Sequence, residues 1–267
     1  MLNLHYPALM GVLNVTPDSF SDGGKFFSPE VAVTHAKKMV ASGAEIIDIG
    51  GESTRPGAQP ISAEEELRRV LPVIEALVSE IRVPFSIDTM KPEVAEEAFK
   101  RGVHVLNDIS GLRDERMRKV AAKYNVPVVI MHMQGTPETM QLSPSYGNVV
   151  AEIKRYLAAQ ARFAKESGIE QIIIDPGIGF GKTVEHNLTI IKHLAEFKEL
   201  GYPLLIGPSR KGFIGKILNR EVNQRLAGTL AVVTACVLSG ADIIRTHDVK
   251  ECKDAMIIAN TIKNHLM

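Results

Sequence analysis

The sequence predicts an α/β fold of one domain, a single (β/α)8 TIM barrel, and three observations support this prediction. Short, β-branched apolar runs alternate with helical patterns from one end of the chain to the other. Most of these runs are nearly continuous rather than alternating, which is typical of parallel strands covered on both faces. The length of 267 residues is typical of such a barrel. Because no linker, charge run or low-complexity stretch divides the chain, we expect residues 1–267 to form one domain.

The predicted strands follow one another at the spacing that a barrel requires. They are "ALMGVLNV", "AEIIDIGG", "PFSIDT", "HVLNDIS", "PVVIMHM", "QIIIDPG", "PLLIGPS" and "ADIIRTH". Eight strands, each followed by a helix, match a barrel better than a doubly wound open sheet. The open sheet usually has fewer strands and a reversal of strand order, which this pattern does not show.

The predicted helices carry recognisable boundary signals. Ser28 followed by Pro29 predicts an N-cap and a first-turn proline. Ser62 with Glu65 predicts a capping box, and the apolar residues after it recur at helical spacing. A longer helix is predicted around residues 150–164.

Composition narrows the possible functions and the compartment. The formal net charge is zero and the pI is about 7.1, so neither a nucleic-acid surface nor a membrane-attracting face is expected. No apolar run approaches the roughly 20 residues that span a bilayer. Cys236 and Cys252 lie in apolar or helical stretches and are expected to be buried thiols in a reducing compartment. The N-terminus lacks a basic segment and a cleavage site, so we expect a cytoplasmic protein.

Polar residues stand at the end of every predicted strand. In chain order they are Asn14, Asp48, Glu52, Asp88, Asn107, Asp108, His132, Asp175, Ser209, Lys211, Arg245, His247 and Asp248. The carboxyl ends of barrel strands converge on one face, where the active sites of this fold are found. Ser209 or Asp248 alone would be read as a helix cap, but capping does not explain all eight strand ends. We therefore expect a ligand site at this face.

The chemistry of these side chains indicates two halves of one pocket. Carboxylates at Asp88 and Asp175, with Asp108 as a third candidate, and the amide of Asn107 can bind a flat heterocycle. The cationic group of Arg55, Lys211, Arg245 and His247 can hold phosphate oxygens. The last three lie on strands seven and eight, which commonly supply the phosphate site of this fold. His132 has no evident partner in the sequence and is left as a structural residue.

Eight successive motifs carry a family resemblance. They are "GVLNVTPDSFSDGG", "DIGGESTRPGA", "SIDT", "NDISG", "MHMQGTPETMQ", "DPGIGFGK", "SRKGFIG" and "RTHDV". From about Ala8 to the last helix, the chain resembles the dihydropteroate synthase family. The resemblance implies that 4-aminobenzoate attacks 6-hydroxymethyl-7,8-dihydropterin diphosphate, giving dihydropteroate and diphosphate, and that sulfonamides compete with the aminobenzoate.

The resemblance also implies roles for particular residues. The pterin diphosphate would be bound by Thr54, Asp88, Asn107, Ile109, Met131, Asp175, Phe180, Gly207, Lys211, Arg245 and His247. The residues named as catalytic are Asp88, Lys211 and Arg245, with Asp88 steadying a pterin-methylene cation after early departure of diphosphate. As lone residues, Ile109, Met131 and Phe180 are more typical of core packing than of a ligand site. Asn14 would contact Mg²⁺, which takes few protein ligands and relies on phosphates and water.

The loops after strands one and two are expected to complete the aminobenzoate pocket once pterin is bound. This pocket would use Phe20, Asp22, Thr54, Arg55, Pro56, Lys211 and Gly212. Pro208 and Gly212 flank "SRK" where the family often has a small hydroxylated residue, which leaves the detail of the aminobenzoate contacts open. The family also implies a homodimer through the last helices, to which "RLAGTLAVVTACVLSGA" could contribute, although that segment is equally typical of barrel packing.

Two other functions fit a pterin-binding barrel. A methyltetrahydrofolate-dependent methyltransferase would keep the pterin contacts but needs no diphosphate clamp, so the Asn14 loop, "SRK" and "RTHDV" argue against it. A non-catalytic pterin-binding protein would have lost a strand-end charge, and every expected charge is present.

Overall fold

A computed structural model of the chain describes residues 4–5, 7–16, 28–55 and 57–265, and its strands form a parallel barrel. The strands are β1 (Ala8–Asn14), β2 (Ile46–Gly50), β3 (Phe85–Asp88), β4 (Val105–Asp108), β5 (Val128–Met131), β6 (Ile172–Asp175), β7 (Leu205–Ile206) and β8 (Ile243–Thr246). Hydrogen-bonded neighbours follow the order β6-β5-β4-β3-β2-β1-β8-β7. A parallel bridge between Ile174 and Leu204 joins the two ends of this order. The predicted single (β/α)8 barrel is therefore confirmed.

Helices surround the barrel and follow each strand. They are α1 (Pro29–Ala41), α2 (Ala63–Glu80), α3 (Pro92–Lys100), α4 (Glu115–Tyr124), α5 (Val149–Glu166), α6 (Val184–Lys192), α7 (Gly212–Leu218), α8 (Leu226–Leu238) and α9 (Val249–His265). Two of them, α7 and α8, lie between β7 and β8, where the sequence pattern predicts one. Among the described residues no helix is long and apolar enough to cross a membrane.

The two predicted helix starts form, but one differs in detail. The Ser28 side chain accepts a hydrogen bond from the Val31 backbone N–H at the start of α1, as predicted. The Ser62 hydroxyl accepts from the Glu65 N–H at the start of α2. The predicted capping box is wrong in its second half, because the Glu65 carboxylate binds Arg68 and Arg69 instead of the Ser62 backbone.

The barrel interior has two layers, and the alternation of strand side chains separates them. The lower layer is apolar and is formed by Ala8, Met10, Ile46, Val105, Val129, Ile173, Leu205 and Ile243. Because side chains alternate with a period of two, the residues two positions further along point to the same side of the sheet. On five of these strands they are Asp48, Asn107, Asp175, Gly207 and Arg245, all candidate site residues or their neighbours. The barrel thus carries a polar layer directly above its apolar layer.

The space between the strands and the helices forms the main apolar core. Fully buried side chains there include Leu13, Ile49, Ile74, Leu77 and Phe197. Both cysteines are buried and free, as predicted, and burial raises the thiol pKa of each.

Candidate active site

Arg245 lies at the centre of the polar layer. Its Nε donates to Asp48 Oδ2 and its Nη2 donates to Asp88 Oδ2, both at 2.6 Å. The Asn107 amide also donates to Asp48 Oδ2, at 3.0 Å. These bonds join the ends of β8, β2, β3 and β4. Sequence reasoning noted Asp48 as a strand-end residue but gave it no role; in the structure it holds the guanidinium.

Two carboxylate oxygens in this layer have no partner. Asp48 Oδ1 and Asp88 Oδ1 are buried and make no hydrogen bond to any described residue. Burial raises the pKa of Asp88 to about 7, although Arg245 opposes the shift. Burial also opposes the charge of Arg245, but the carboxylates of Asp48 and Asp88 outweigh it and raise the guanidinium pKa. A ligand with N–H donors would satisfy the free oxygens, whose isolation otherwise costs free energy.

Asp175 and Lys211 lie on the β6 and β7 side of the same layer. Asp175 Oδ1 accepts a hydrogen bond of 2.7 Å from the Gly177 N–H, and burial raises the pKa of this carboxyl to about 6. The Lys211 Nζ lies 4.1 Å from the centre of the Phe180 ring. Burial, together with Arg245, lowers the pKa of Lys211 to about 8. At neutral pH the Asp175 carboxyl is still mainly ionised and Lys211 mainly protonated, so the first accepts hydrogen bonds from ring atoms and the second donates them.

A buried lysine that sequence reasoning missed supports the loop after β6. Lys182 is 3% exposed, and its Nζ donates to the carbonyls of Phe180 at 2.8 Å and His132 at 3.3 Å. It also lies 3.1 Å from His132 Nδ1. Burial, then Lys182 and Arg113, lowers the pKa of His132 to about 3, so the ring is neutral and its Nδ1 accepts from the lysine. His132 is structural, as predicted, and its partner is now identified.

The same loop approaches the end of β5 so closely that it needs a glycine. Gly177 has a φ of +72°, and a Cβ there would lie 1.9 Å from the His132 carbonyl oxygen. The glycine in "DPG" was the available sequence signal, because a left-handed backbone and a close approach both favour glycine.

The phosphate side of the predicted pocket contains Ser209 and His247. The Ser209 Oγ lies 3.1 Å from His247 Nδ1 and accepts a hydrogen bond of 3.2 Å from the His247 N–H. Asp248 binds Arg210 through two bonds of 2.8 and 2.5 Å, which joins the β7–α7 and β8–α9 loops. Although the His247 side chain reaches solvent, the protein around it, then Arg245 and Lys211, lowers its pKa. These neighbours favour the neutral imidazole, whereas the sequence pattern grouped His247 with the cations.

Asp108 does not join the site. Its two oxygens accept hydrogen bonds from the Ser110 N–H at 2.7 Å, the Ser110 hydroxyl at 2.9 Å and the Leu112 N–H at 3.0 Å. The expectation that it could be a third pterin-binding carboxylate is wrong, because these bonds use it to close the turn after β4. Asn107 precedes it and faces the opposite side of the strand, into the polar layer.

An apolar cluster lies above the polar layer. It contains Ile109, Met131 and Phe180, which the family resemblance named, together with Met133 and Met140, which it did not. Gly207 lies beside Arg245, since a Cβ at this glycine would be 3.8 Å from the arginine Cβ.

The predicted aminobenzoate residues are only partly described. Phe20, Asp22 and Pro56, like most of the loop 14–24, fall outside the described residues. Thr54 and Arg55 lie on the β2–α2 loop, and Thr54 lines a cavity of about 210 Å³. Gly212 is exposed at the first position of α7, directly after Lys211.

Side-chain oxygens of Asn14 and Asp88 both lie near Gly50, at the end of β2. A Cβ at Gly50 would lie 3.6 Å from Asn14 Oδ1 and 3.9 Å from Asp88 Oδ2. In the ranges the structure describes, no group of three or more His, Cys, Asp or Glu side chains could hold a metal ion. The Asn14 amide oxygen, with no full protein cage described around it, suits Mg²⁺, which keeps waters and uses phosphate ligands.

Comparison with known proteins gives consistent results along nearly the whole chain. Residues 10–247 match the model of the pterin binding enzyme family. The chain is 50% identical to the dihydropteroate synthase of Escherichia coli K12 over 257 residues, covering 96% of this chain and 91% of the relative.

Two solved structures are similar in fold as well as in sequence. One is the Yersinia pestis dihydropteroate synthase in a sulfonamide drug complex, with a TM-score of 0.93 and 44% identity, covering 97% of this chain and 95% of that chain. The other is the Xanthomonas albilineans dihydropteroate synthase with 4-aminobenzoic acid, with a TM-score of 0.91 and 44% identity, covering 97% and 93%.

We predict that Lys182 changes the pH dependence of stability. Burial lowers the pKa of Lys182 to about 7 from an ordinary value of 10.5. Between these values the unfolded chain binds a proton that the folded chain lacks, so stability rises with pH. Relative to Lys182→Met, the wild-type free energy of unfolding should therefore increase by up to about 1.4 kcal/mol per pH unit from about pH 7 to about pH 10. Urea titrations measure this difference.

The control is Lys123→Met, which removes an exposed lysine paired with Glu96. Its stability curve should run parallel to that of the wild type over the same pH range. Parallel curves for Lys182→Met as well would show that the buried lysine keeps an ordinary pKa.

Proposed function

This chain belongs to the dihydropteroate synthase family of pterin binding enzymes, and from that membership we propose how its residues carry out the family reaction. The protein joins 6-hydroxymethyl-7,8-dihydropterin diphosphate to 4-aminobenzoate and releases diphosphate. The observation that carries the proposal is the polar layer itself. Its carboxylates, amide and cations surround one end of the barrel, and two of its buried carboxylate oxygens have no partner among the described residues.

We propose that the polar layer binds the pterin edge-on. Asp175 accepts hydrogen bonds from the ring amino group and its neighbouring N–H, and Asn107 and the free oxygen of Asp88 take further donors. Lys211 faces the ring carbonyl and a ring nitrogen and donates to them as an ammonium, a form that the nearby charges of Asp175 and Asp88 favour. Ile109, Met131 and Phe180 cover the ring faces.

Arg245 is proposed to serve both halves of the pocket. Its Nε and Nη2 are held by Asp48 and Asp88, so its plane is fixed before substrate arrives. One face of the guanidinium stacks on the pterin, and its edge is available to the leaving diphosphate. His247 donates to a phosphate oxygen as a neutral imidazole, and Ser209 orients its ring.

Mg²⁺ is proposed to bind through Asn14 and the substrate diphosphate, where it would neutralise the charge of the leaving group. When the diphosphate has left, the pterin methylene carries positive charge that is delocalised into the ring. Asp88, 8% exposed and already close to this site, stabilises that charge electrostatically. The arylamine then forms the C–N bond and loses a proton as its acidity rises, so no strong general base is needed.

The β2–α2 loop, with Thr54 and Arg55, is proposed to contribute to the aminobenzoate pocket, together with Lys211 and Gly212. Sulfonamides compete there. We also propose that pterin diphosphate binds first, because the loop completes the second pocket over a bound first substrate. Two free, buried thiols support a reducing compartment such as the cytoplasm.

We propose that the protein is a homodimer through α8 and α9. These helices expose large apolar side chains, among them Leu238 at 41%, Ile257 at 52%, Ile258 at 61% and Ile262 at 47%. Apolar side chains gathered on a packed helix pair are typical of an interface with a second copy.

The assay that tests the reaction incubates the protein with pterin diphosphate, Mg²⁺ and 4-aminobenzoate and measures diphosphate and dihydropteroate. Asp88→Asn should lower kcat by about 100-fold and change pterin-diphosphate affinity far less, because the charge acts on the transition state. Asp175→Asn is the matched control and should mainly weaken pterin binding. Equal losses of kcat and affinity in Asp88→Asn would reject the electrostatic role.

Asn14→Ala should raise the Mg²⁺ concentration needed for half-maximal rate several-fold, because one protein oxygen is lost from the ion. Binding of a pterin without diphosphate should stay unchanged, which calorimetry measures. An unchanged Mg²⁺ requirement would exclude Asn14 as a ligand.

Ile258→Asp should shift the protein from dimer to monomer in sedimentation velocity, since the charge would be buried in the interface. Phe163→Asp, which changes an apolar side chain 38% exposed on α5, is the control and should remain dimeric. A dimer that survives Ile258→Asp would place the interface elsewhere.

A further inference from the structure

Three charged side chains fix the base of the β2–α2 loop. The Lys91 Nζ, just before α3, donates to Glu52 Oε2 at 2.7 Å and to Glu66 Oε2 at 2.5 Å. The other oxygen of Glu52 accepts a hydrogen bond of 2.9 Å from the Ile61 N–H. Glu52 thus closes the loop between residues 52 and 61 and attaches it to α3.

These charges are poorly accessible to water. The exposed fractions of the side chains are 9% for Glu52, 0% for Glu66 and 20% for Lys91. An exposed ion pair contributes little to stability, but a buried charge that loses its partner costs several kcal/mol. The Glu52–Lys91 contact is therefore a firm attachment between distant parts of the chain.

The tip of the loop is much less restrained than its base. At the base, Arg69 Nη1 also donates to the Gly51 carbonyl at 3.1 Å. Between residues 53 and 60 the backbone makes one bond within the described chain, from the Ala58 N–H to the Arg55 carbonyl at 3.0 Å. The side chains of Thr54 and Arg55 make no hydrogen bond to another described residue. The loop therefore has a fixed base and a tip whose polar groups are available.

This tip forms one wall of a cavity in the rim of the barrel. Residues 52–54, 58 and 60 line it on one side, and Met90, Ser110, Arg113 and Met133 lie among the residues opposite. Met90 directly precedes Lys91, so the lysine connects the two walls through Glu52. The Glu52–Lys91 distance consequently sets how far the loop stands from the ends of β3, β4 and β5.

We propose that Glu52 and Lys91 are positioning residues for the second substrate of the reaction. Their ion pair holds the β2–α2 loop in the position in which Thr54 and Arg55 can contact 4-aminobenzoate, both its aromatic amine and its carboxylate. This inference rests on the proposed function. The residues proposed to bind the pterin ring lie inside the barrel around Arg245, so binding of the ring itself does not depend on the loop.

Two isosteric variants of the same ion triad test the proposal. Glu52→Gln breaks the attachment of the loop but leaves Lys91 paired with Glu66. Glu66→Gln removes the other charge and leaves Glu52–Lys91 intact. The expected result is a KM for 4-aminobenzoate about tenfold higher in Glu52→Gln and unchanged in Glu66→Gln. The affinity for 6-hydroxymethyl-7,8-dihydropterin, which lacks the diphosphate, should be unchanged in both when measured by calorimetry without 4-aminobenzoate.

Stability is measured alongside, since both variants lose a buried charge. Equal KM values in the two variants, or a loss of affinity for the pterin without diphosphate in Glu52→Gln, would overturn the proposal and leave the triad a purely structural element. Lys91→Arg, which can keep both ion pairs, should retain a KM close to that of the wild type.

A measurement that does not depend on catalysis tests the attachment of the loop separately from the proposed reaction. Hydrogen exchange measured by mass spectrometry should be faster in residues 52–62 of Glu52→Gln than of Glu66→Gln. If the wild type forms no dihydropteroate, the proposed function fails, while faster exchange still shows that the attachment exists. Equal exchange in the two variants would show that it does not hold the loop.

Discussion

The pairing of one guanidinium with two carboxylates is the constraint on which the site depends. Arg245 reaches Asp48 and Asp88 at 2.6 Å each, across the ends of three strands. Charges buried this deeply are tolerated only when each has a partner, so the bonds form only if β2, β3 and β8 stand in their observed register. The register of these three strands and the geometry of the site are therefore set together.

The alternation of side chains along the strands explains how one barrel can be both stable and functional. Ile46, Val105, Ile173 and Ile243 fill the lower layer, and the residue two positions later on each strand is polar. Because the apolar layer closes the bottom of the polar one, substrate and water enter from the rim only. The low accessibility of Asp88, Asp175 and Lys211, and the pKa shifts that follow from it, result from this arrangement.

The sequence was sufficient for the strands, the barrel and most strand-end residues, because apolar runs and terminal charges are local patterns. It was misleading where the outcome depends on the direction of a side chain. Asp108 turns back to Ser110, and Glu65 turns to Arg68 and Arg69 instead of completing the cap. The neutral state of His247 and the burial of Lys182 depend on neighbours distant in the chain, which a single sequence does not reveal.

The residues of the polar layer are held by more contacts than those at the tip of the β2–α2 loop. This difference affects how resistance to inhibitors could arise. Within the barrel, Asp88, Asn107, Asp175 and Arg245 each also bind a neighbouring residue, so a substitution there that repels a pterin-like drug would also disturb the site. At the tip of the β2–α2 loop, Thr54 and Arg55 hold no described neighbour in place, so their replacement costs the fold little. A drug that met only the loop would therefore select tolerated changes more easily than a drug that met the polar layer of the barrel.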